Sequence, residues 1–183
     1  YMGQITAARL LVPHGGSAPI ERPAHYSETN PIDELVWSRL EKLRIAPSGP
    51  IDDAGFLRRV YLTMIGTLPT PGEVTRFLAD GNKSKRARLV DQVLLRREYA
   101  DFWAQRWSDI LMANPEKLGN RGAYELHRWL RLQMATNRPS NEWVYELLTA
   151  TGNSGSHGPV NFFRGQRTPE ELTRTVSQAL LGI

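Results

Sequence analysis

The stretch F-L-R-R-V-Y-L-T-M-I-G-T-L-P-T-P-G-E-V, Phe56 to Val74, contains one helix, its stop and the start of the next. Phe56, Leu57, Val60, Tyr61 and Met64 or Ile65 recur at helical spacing, so they predict a helix with these residues inward, capped by Asp52 or Asp53. Gly66 breaks it, since glycine enters the left-handed region without the penalty a Cβ imposes. Pro69 forces Leu68 out of the helical region. Thr70-Pro71-Gly72-Glu73 is a capping box with Pro at the first helical position, opening a short helix to Ala79 that ends near Gly81. The turn is therefore expected to be a structural hinge-point between packed helices rather than a ligand site. Leu68 is expected to point back into the core. At least one of Arg58 and Arg59 is expected to donate to carbonyls or carboxylates near the turn; a phosphate role for the pair is the rival reading.

The same start and stop signals continue on both sides. Upstream, Pro31 precedes Ile32, Leu35, Val36, Leu40 and Leu43 at helical spacing, and Pro47-Ser48-Gly49-Pro50 closes that element. Downstream, Ser84 opens a helix through Leu89, Val90, Val93 and Leu94, and another spans about Tyr99 to Met112. After a polar loop, Gly122 to Ala135 and Asn141 to Ala150 follow. Thr168-Pro169-Glu170-Glu171 repeats the capping-box pattern and starts a last helix toward Leu181. The fold class expected for residues 32–183 is thus all-α, a compact domain of about seven or eight helices.

The first 31 residues differ. Gln4 to Val12 (Q-I-T-A-A-R-L-L-V) reads as a strand ending at Pro13, so residues 1–12 are expected to be extended, as the end of an upstream β-domain. Residues 13–31 hold Pro13, Pro19, Pro23 and Pro31 with Gly15, Gly16 and Ser17, the composition of an extended linker. With Tyr1 rather than Met at the first position, the natural amino terminus is expected to lie upstream.

Composition narrows the chemistry. The 183 residues, 40% hydrophobic and 23% charged, fit a globular domain with a core of its own. No apolar run approaches the ~20 residues of a membrane-spanning helix, and no signal-peptide pattern is present. Lys and Arg number 23 against 19 Asp and Glu, a net +4 that alone designates no nucleic-acid partner. Cys is absent, which removes disulfides, thiolate metal sites, Cys nucleophiles and covalent haem attachment within this chain.

No catalytic, cofactor-binding or metal residue is assigned. His14, His25, His127 and His157 are dispersed. Asp52, Asp53, Asp101 and Asp109 lack calcium-loop spacing. Asn153 to Gly158 (N-S-G-S-H-G) is Gly-rich, but no Lys-Ser or Lys-Thr follows, so it reads as a flexible loop. G-x-S-x-G and H-E-x-x-H are missing. His127, near Glu125, has no identifiable nucleophile partner and reads as a surface or hydrogen-bonded histidine. Lys83, Lys85, Arg86, Arg88, Arg96 and Arg97 form the largest charge cluster. Lys85, Arg88 and Arg96 do not all share one face with the apolar stripe, which favours a solvated helix face over an acidic partner or phosphate contact. Phe102, Trp103 and Trp107 lie one turn apart on an amphipathic helix and read as core. With Trp37, Trp129 and Trp143, they are expected to be mostly buried and to tie helices together.

These motifs resemble a family. I-D-E-L-V-W-S-R-L (Ile32 to Leu40), Phe56 to Val74, F-L-A-D (Phe77 to Asp80), L-V-D-Q-V-L (Leu89 to Leu94), Y-A-D-F-W-A-Q-R-W-S-D (Tyr99 to Asp109), Y-E-L-H-R-W-L (Tyr124 to Leu130) and P-E-E-L-T-R-T-V-S-Q-A-L-L-G (Pro169 to Gly182) are similar to domain of unknown function 1549. Arg58, Arg59, Gly66, Leu68, Pro69, Pro71, Glu73, Trp103, Trp107, Asp109 and Trp129 stand in these segments as its structural motif. The resemblance implies a large, exported, planctomycete-type protein, named as cytochrome-c-associated. It implies an immunoglobulin-like domain upstream and domain of unknown function 1553 downstream. It also implies an extracytoplasmic location, in the periplasm or at the cell surface, and a haem-attachment-like C-x-x-C-H segment, hence haem c in the parent protein, just after Ile183. On this basis the expected function is a non-catalytic structural or docking module. Its partners would be other domains of the parent or other chains of an assembly at the cell surface or a membrane complex, and not nucleic acid. The alternatives are a binding module for polysaccharide or another surface polymer, using Trp and Arg, and part of a hydrolase whose active site lies partly outside this chain.

Overall fold

The computed structural model describes residues 10–13, 15, 20–23, 30–166 and 168–182. The chain divides into two compact units, Tyr1–Ile51 and Asp52–Ile183. The expected strand lies outside the described residues except for Leu10, Leu11 and Val12, which are exposed and carry no regular structure.

In the first unit, helix α1 runs Pro31–Leu43. The Asn30 side chain accepts from the Ile32 N–H at 3.0 Å, Pro31 occupies the first turn, and Arg44 closes the helix at φ 54°. Trp37 is its buried residue. The guanidinium of Arg22 sits 5.9 Å above the Trp37 ring and pairs with Glu34 at 2.6 Å, so the preceding segment is tied to the helix it leads into. Ile32, Leu35 and Val36, which share the helical spacing, are exposed.

The second unit is helical throughout its regular structure. Its elements are α2 (Asp53–Ile65), α3 (Pro71–Ala79), α4 (Lys85–Leu94), α5 (Arg97–Ile110), α6 (Pro115–Ala135), α7 (Ser140–Thr149), α8 (Val160–Arg164) and α9 (Pro169–Val176), the last continued by a π-turn over Ser177–Leu181. The described residues thus form an all-α fold of nine helices without strands. The short α8 had no periodicity of its own to be read. Pro115 to Leu118, expected as polar loop, is a first turn of α6, capped by Asn114. Gly119, at φ 72° and ψ 158°, breaks that turn from the main helix, a conformation L side chains rarely adopt.

Two apolar clusters organise this unit. Leu57, Val60, Tyr61 and Ile65 of α2 meet Phe77 of α3 and Leu89 and Val93 of α4. Ala104 of α5 and Leu111 meet Leu118, Leu126 and Leu130 of α6, Trp143 and Leu147 of α7 and Phe162 of α8, with Leu172, Val176 and Ala179 packed on the side. Full burial of each Leu or Phe contributes roughly 1.5–3 kcal/mol. Helix α2 also packs on α5, and Gly66 lets the chain leave α2 directly against the Phe102 ring of α5.

Candidate functional site

Helices α3 and α4, joined by the turn Asp80 to Ser84, flank a cleft of about 570 Å³. Glu73, Arg76, Phe77 and Asp80 line it from the α3 side, at the i, i+3, i+4, i+7 spacing of one helical face. Lys85, Arg88, Leu89, Gln92 and Arg96 line it from the α4 side at the equivalent spacing, and Tyr61 of α2 completes the wall. Phe77, Leu89 and Tyr61 are buried and belong to the apolar cluster beneath. The charged groups stand above an apolar base.

Two ionic networks hold these walls. Glu73 Oε2 accepts from the Thr70 N–H at 2.7 Å and the Thr70 hydroxyl accepts from the Glu73 N–H at 3.4 Å, which is the expected capping box; the same hydroxyl donates to Oε2 at 2.8 Å. The other Glu73 carboxylate oxygen accepts from Arg96 at 2.8 Å. Burial opposes ionisation of Glu73, but the Thr70 N–H and hydroxyl, the Tyr61 hydroxyl and the Arg96 guanidinium outweigh it and hold the carboxyl at about 2. Arg96 also binds Glu98 at 2.5 Å and reaches the Tyr61 hydroxyl at 3.3 Å. Glu98, followed by Glu73, keeps that guanidinium charged far beyond its ordinary range. Burial, then Glu73, raises the Tyr61 phenol. At the other end, Lys85 bonds the Phe77 carbonyl at 3.3 Å and pairs with Asp53 at 2.6 Å, while Arg86 pairs with the same carboxylate at 2.7 Å. Hydrogen bonds from Lys85 and then Arg86 lower the Asp53 carboxyl.

The basic cluster divides: Lys83, Arg88 and Arg97 are exposed, as a solvated face would have them, and the other three are not. Lys85, Arg86 and Arg96 are half-buried and bridge helices, which sequence reading missed because their acidic partners Asp53 and Glu73 lie far away in the chain. Lys85, Arg88 and Arg96 share one groove with the apolar Leu89. The expectation for Arg58 and Arg59 is corrected as well. Both are exposed, and neither makes a hydrogen bond or ion pair among the described residues; Arg96 holds the turn's capping glutamate instead. Leu68 is 54% exposed and does not return to the core; at this turn the ring of Phe102 packs against Gly66 instead. Pro69 is half-buried and Pro71 exposed, at the start of α3.

The tryptophans divide. Trp37 and Trp143 are buried, while Trp103, Trp107 and Trp129 are only half-buried. Trp107 and Trp129 meet Trp143 edge-on, at centroid distances of 4.8 and 6.2 Å, so they tie α5, α6 and α7 together. Trp129 Nε1 donates to Glu146 at 3.0 Å, and Arg138 pairs with that carboxylate. Burial opposes ionisation of Glu146, but Arg138 and then Trp129 lower its carboxyl overall. Trp107 and Trp129 thus have protein partners in the second core. Asp109 is exposed and accepts from Gln105 at 2.9 Å, one turn earlier on α5.

A partner for His127 does exist. Ser108 Oγ lies 3.2 Å from His127 Nδ1. The same hydroxyl donates to the Ala104 carbonyl at 2.8 Å, so its proton is committed and the contact needs Nδ1–H to donate. That is the reverse of a histidine acting as general base on a serine. Among the described residues no three His, Asp or Glu groups converge in a way that could hold a metal ion. The Asn153–Gly158 segment is pinned rather than loose: buried Asn161 donates to the Ser154 and Gly158 carbonyls at 2.9 and 3.1 Å, and Arg121 to the Gly155 carbonyl at 3.0 Å.

The family described as a protein of unknown function, DUF1549 (PSCyt2), matches residues 31–183. The chain belongs to this family. No curated protein and no solved structure matches it. In this chain, Gly66, Pro71 and Glu73 build the α2–α3 turn, and Trp107 and Trp129 pack into the second core.

Proposed function

We propose that this chain is a non-catalytic docking module of a large exported multidomain protein, with neighbouring segments of that protein as its partners, a c-type haem segment among them. The observation that carries the reading is the state of the charges in the α3–α4 cleft. Glu73 is ionised down to about 2 and engaged by four donors. Lys85 and Arg96 are committed to carboxylates. A carboxyl held that low does not act as a general acid near neutral pH, and the ion pairs keep the cleft walls in place, which suits a preformed docking face rather than acid–base chemistry. Export and a haem-bearing neighbour are part of the proposal, drawn from the resemblance of the motifs to the family.

The test is to produce this chain and the remaining segments of its parent separately and mix them. Co-elution as a defined complex is expected, with no turnover of ester, glycoside or phosphoester substrates by this chain. Turnover that survives purification, or the lack of any association, would refute the reading.

A further inference from the structure

We infer that the α3–α4 cleft docks an acidic, extended peptide segment, with Arg76 and Arg88 taking its carboxylates. This rests on the docking reading and gives its partner a chemistry. The cleft's polar groups fall into two sets. Glu73, Lys85 and Arg96 are used internally, as described above. Arg76 is exposed, and only its Nε is bonded, to the Gly72 carbonyl of its own helix at 3.3 Å, which leaves both terminal nitrogens available. Arg88 is exposed and gives one terminal nitrogen to Asp80 at 2.7 Å, keeping its Nε and the other. The Gln92 side chain makes no hydrogen bond among the described residues, so its amide offers a donor and an acceptor to a peptide backbone.

Charge complementarity selects the ligand. Four cations and two carboxylates line the cleft. Asp53 and Glu98, outside the lining, also pair with Lys85 and Arg96, and Asp80 pairs with Arg88, so among the described residues Arg76 is the lining cation without a carboxylate partner. Each carboxylate has a guanidinium beside it, Asp80 that of Arg88 and Glu73 that of Arg96, which offsets its charge toward an incoming acid. Guanidinium groups pair carboxylates with two parallel hydrogen bonds, a fit that a single ammonium cannot make. The volume lies within the roughly 300–1,000 Å³ of ligand sites. Arg76, Arg88 and Gln92 stand at an exposed rim, so a small acid would remain largely hydrated, whereas a chain segment gains successive contacts along the α4 face. The Lys85 and Arg96 networks keep the walls in place before binding, which lowers the ordering cost.

The experiment uses the whole 183-residue chain and fluorescence anisotropy with a labelled Asp/Glu-rich peptide. The comparison probes are its Asn/Gln counterpart, a single-stranded oligonucleotide and phosphatidylglycerol vesicles. Binding of the acidic peptide is expected, weakened by salt and about tenfold weaker in Arg76→Gln/Arg88→Gln. No binding, equal binding by the double variant, or equal binding of the oligonucleotide or vesicles overturns the proposal. If the double variant fails to fold, amide shifts of the native chain on titration with the peptide decide: they must centre on residues 73–92, and a centre elsewhere overturns it. Loss of peptide binding with retained association to the parent's segments sinks only the partner chemistry; loss of both sinks the docking reading too.

Discussion

Replacing Glu73 by Gln isolates the electrostatic centre of the first core. Gln preserves the shape and can keep the bonds from Thr70, since capping boxes accept either residue. Its amide nitrogen then faces Arg96, donor against donor, where the native carboxylate accepts at 2.8 Å. Holding the carboxyl at about 2 rather than 4.5 corresponds to a ceiling of about 3.4 kcal/mol. The Glu73 side chain is 21% exposed and that of Arg96 31%, so solvent screening reduces the expected loss to about 2 kcal/mol at neutral pH. The sign with pH follows from the depressed folded value. The native contribution is complete above about pH 4.5 and is lost as pH falls toward 2. The stability gap between native protein and variant should therefore close across that window. Urea unfolding of both proteins at several pH values, followed by circular dichroism, measures the gap. A loss below about 0.5 kcal/mol at neutral pH, or a gap that stays constant down to pH 2.5, would refute the assignment.

Gly66→Ala should cost about 2–3 kcal/mol in thermal unfolding, since it places a Cβ at φ 69° and against the Phe102 ring; an unchanged midpoint would contradict that packing. Trp143→Ala, which removes a ring 2% exposed, should cost about 3–5 kcal/mol by urea titration, and a loss under 1 kcal/mol would exclude it from the core. Arg58→Met and Arg59→Met should each stay within about 0.5 kcal/mol of the native protein, because both side chains lie in solvent; a large loss would reinstate a structural role at the turn. Asn161→Ala should destabilise by about 2–3 kcal/mol by leaving the Ser154 and Gly158 carbonyls without their donor, and hydrogen exchange in the 153–158 segment should speed up; native-like exchange there would show that the loop is held otherwise.

The sequence by itself determined most of the helices and several of their ends, α8 and the first turn of α6 excepted. Capping needs only near neighbours, so Thr70 with Glu73, Thr168 with Glu171 and Gly66 at its positive φ were legible as written. Spacing also marked Leu57, Val60 and Tyr61 as an inward face. Tertiary structure decided what the polar residues do. Arg58, Arg59 and Arg96 are chemically alike along the chain, yet only Arg96 meets Glu73, because the fold carries the end of α4 to the start of α3 across 23 residues. Asp53 meets Lys85 and Arg86 in the same way. The Ser108–His127 contact and the grip of Asn161 on its loop likewise depend on which helix faces which. Helical periodicity records the water-facing and core-facing sides of one segment. It holds no record of the segment opposite, and the cleft between α3 and α4 is made of that pairing.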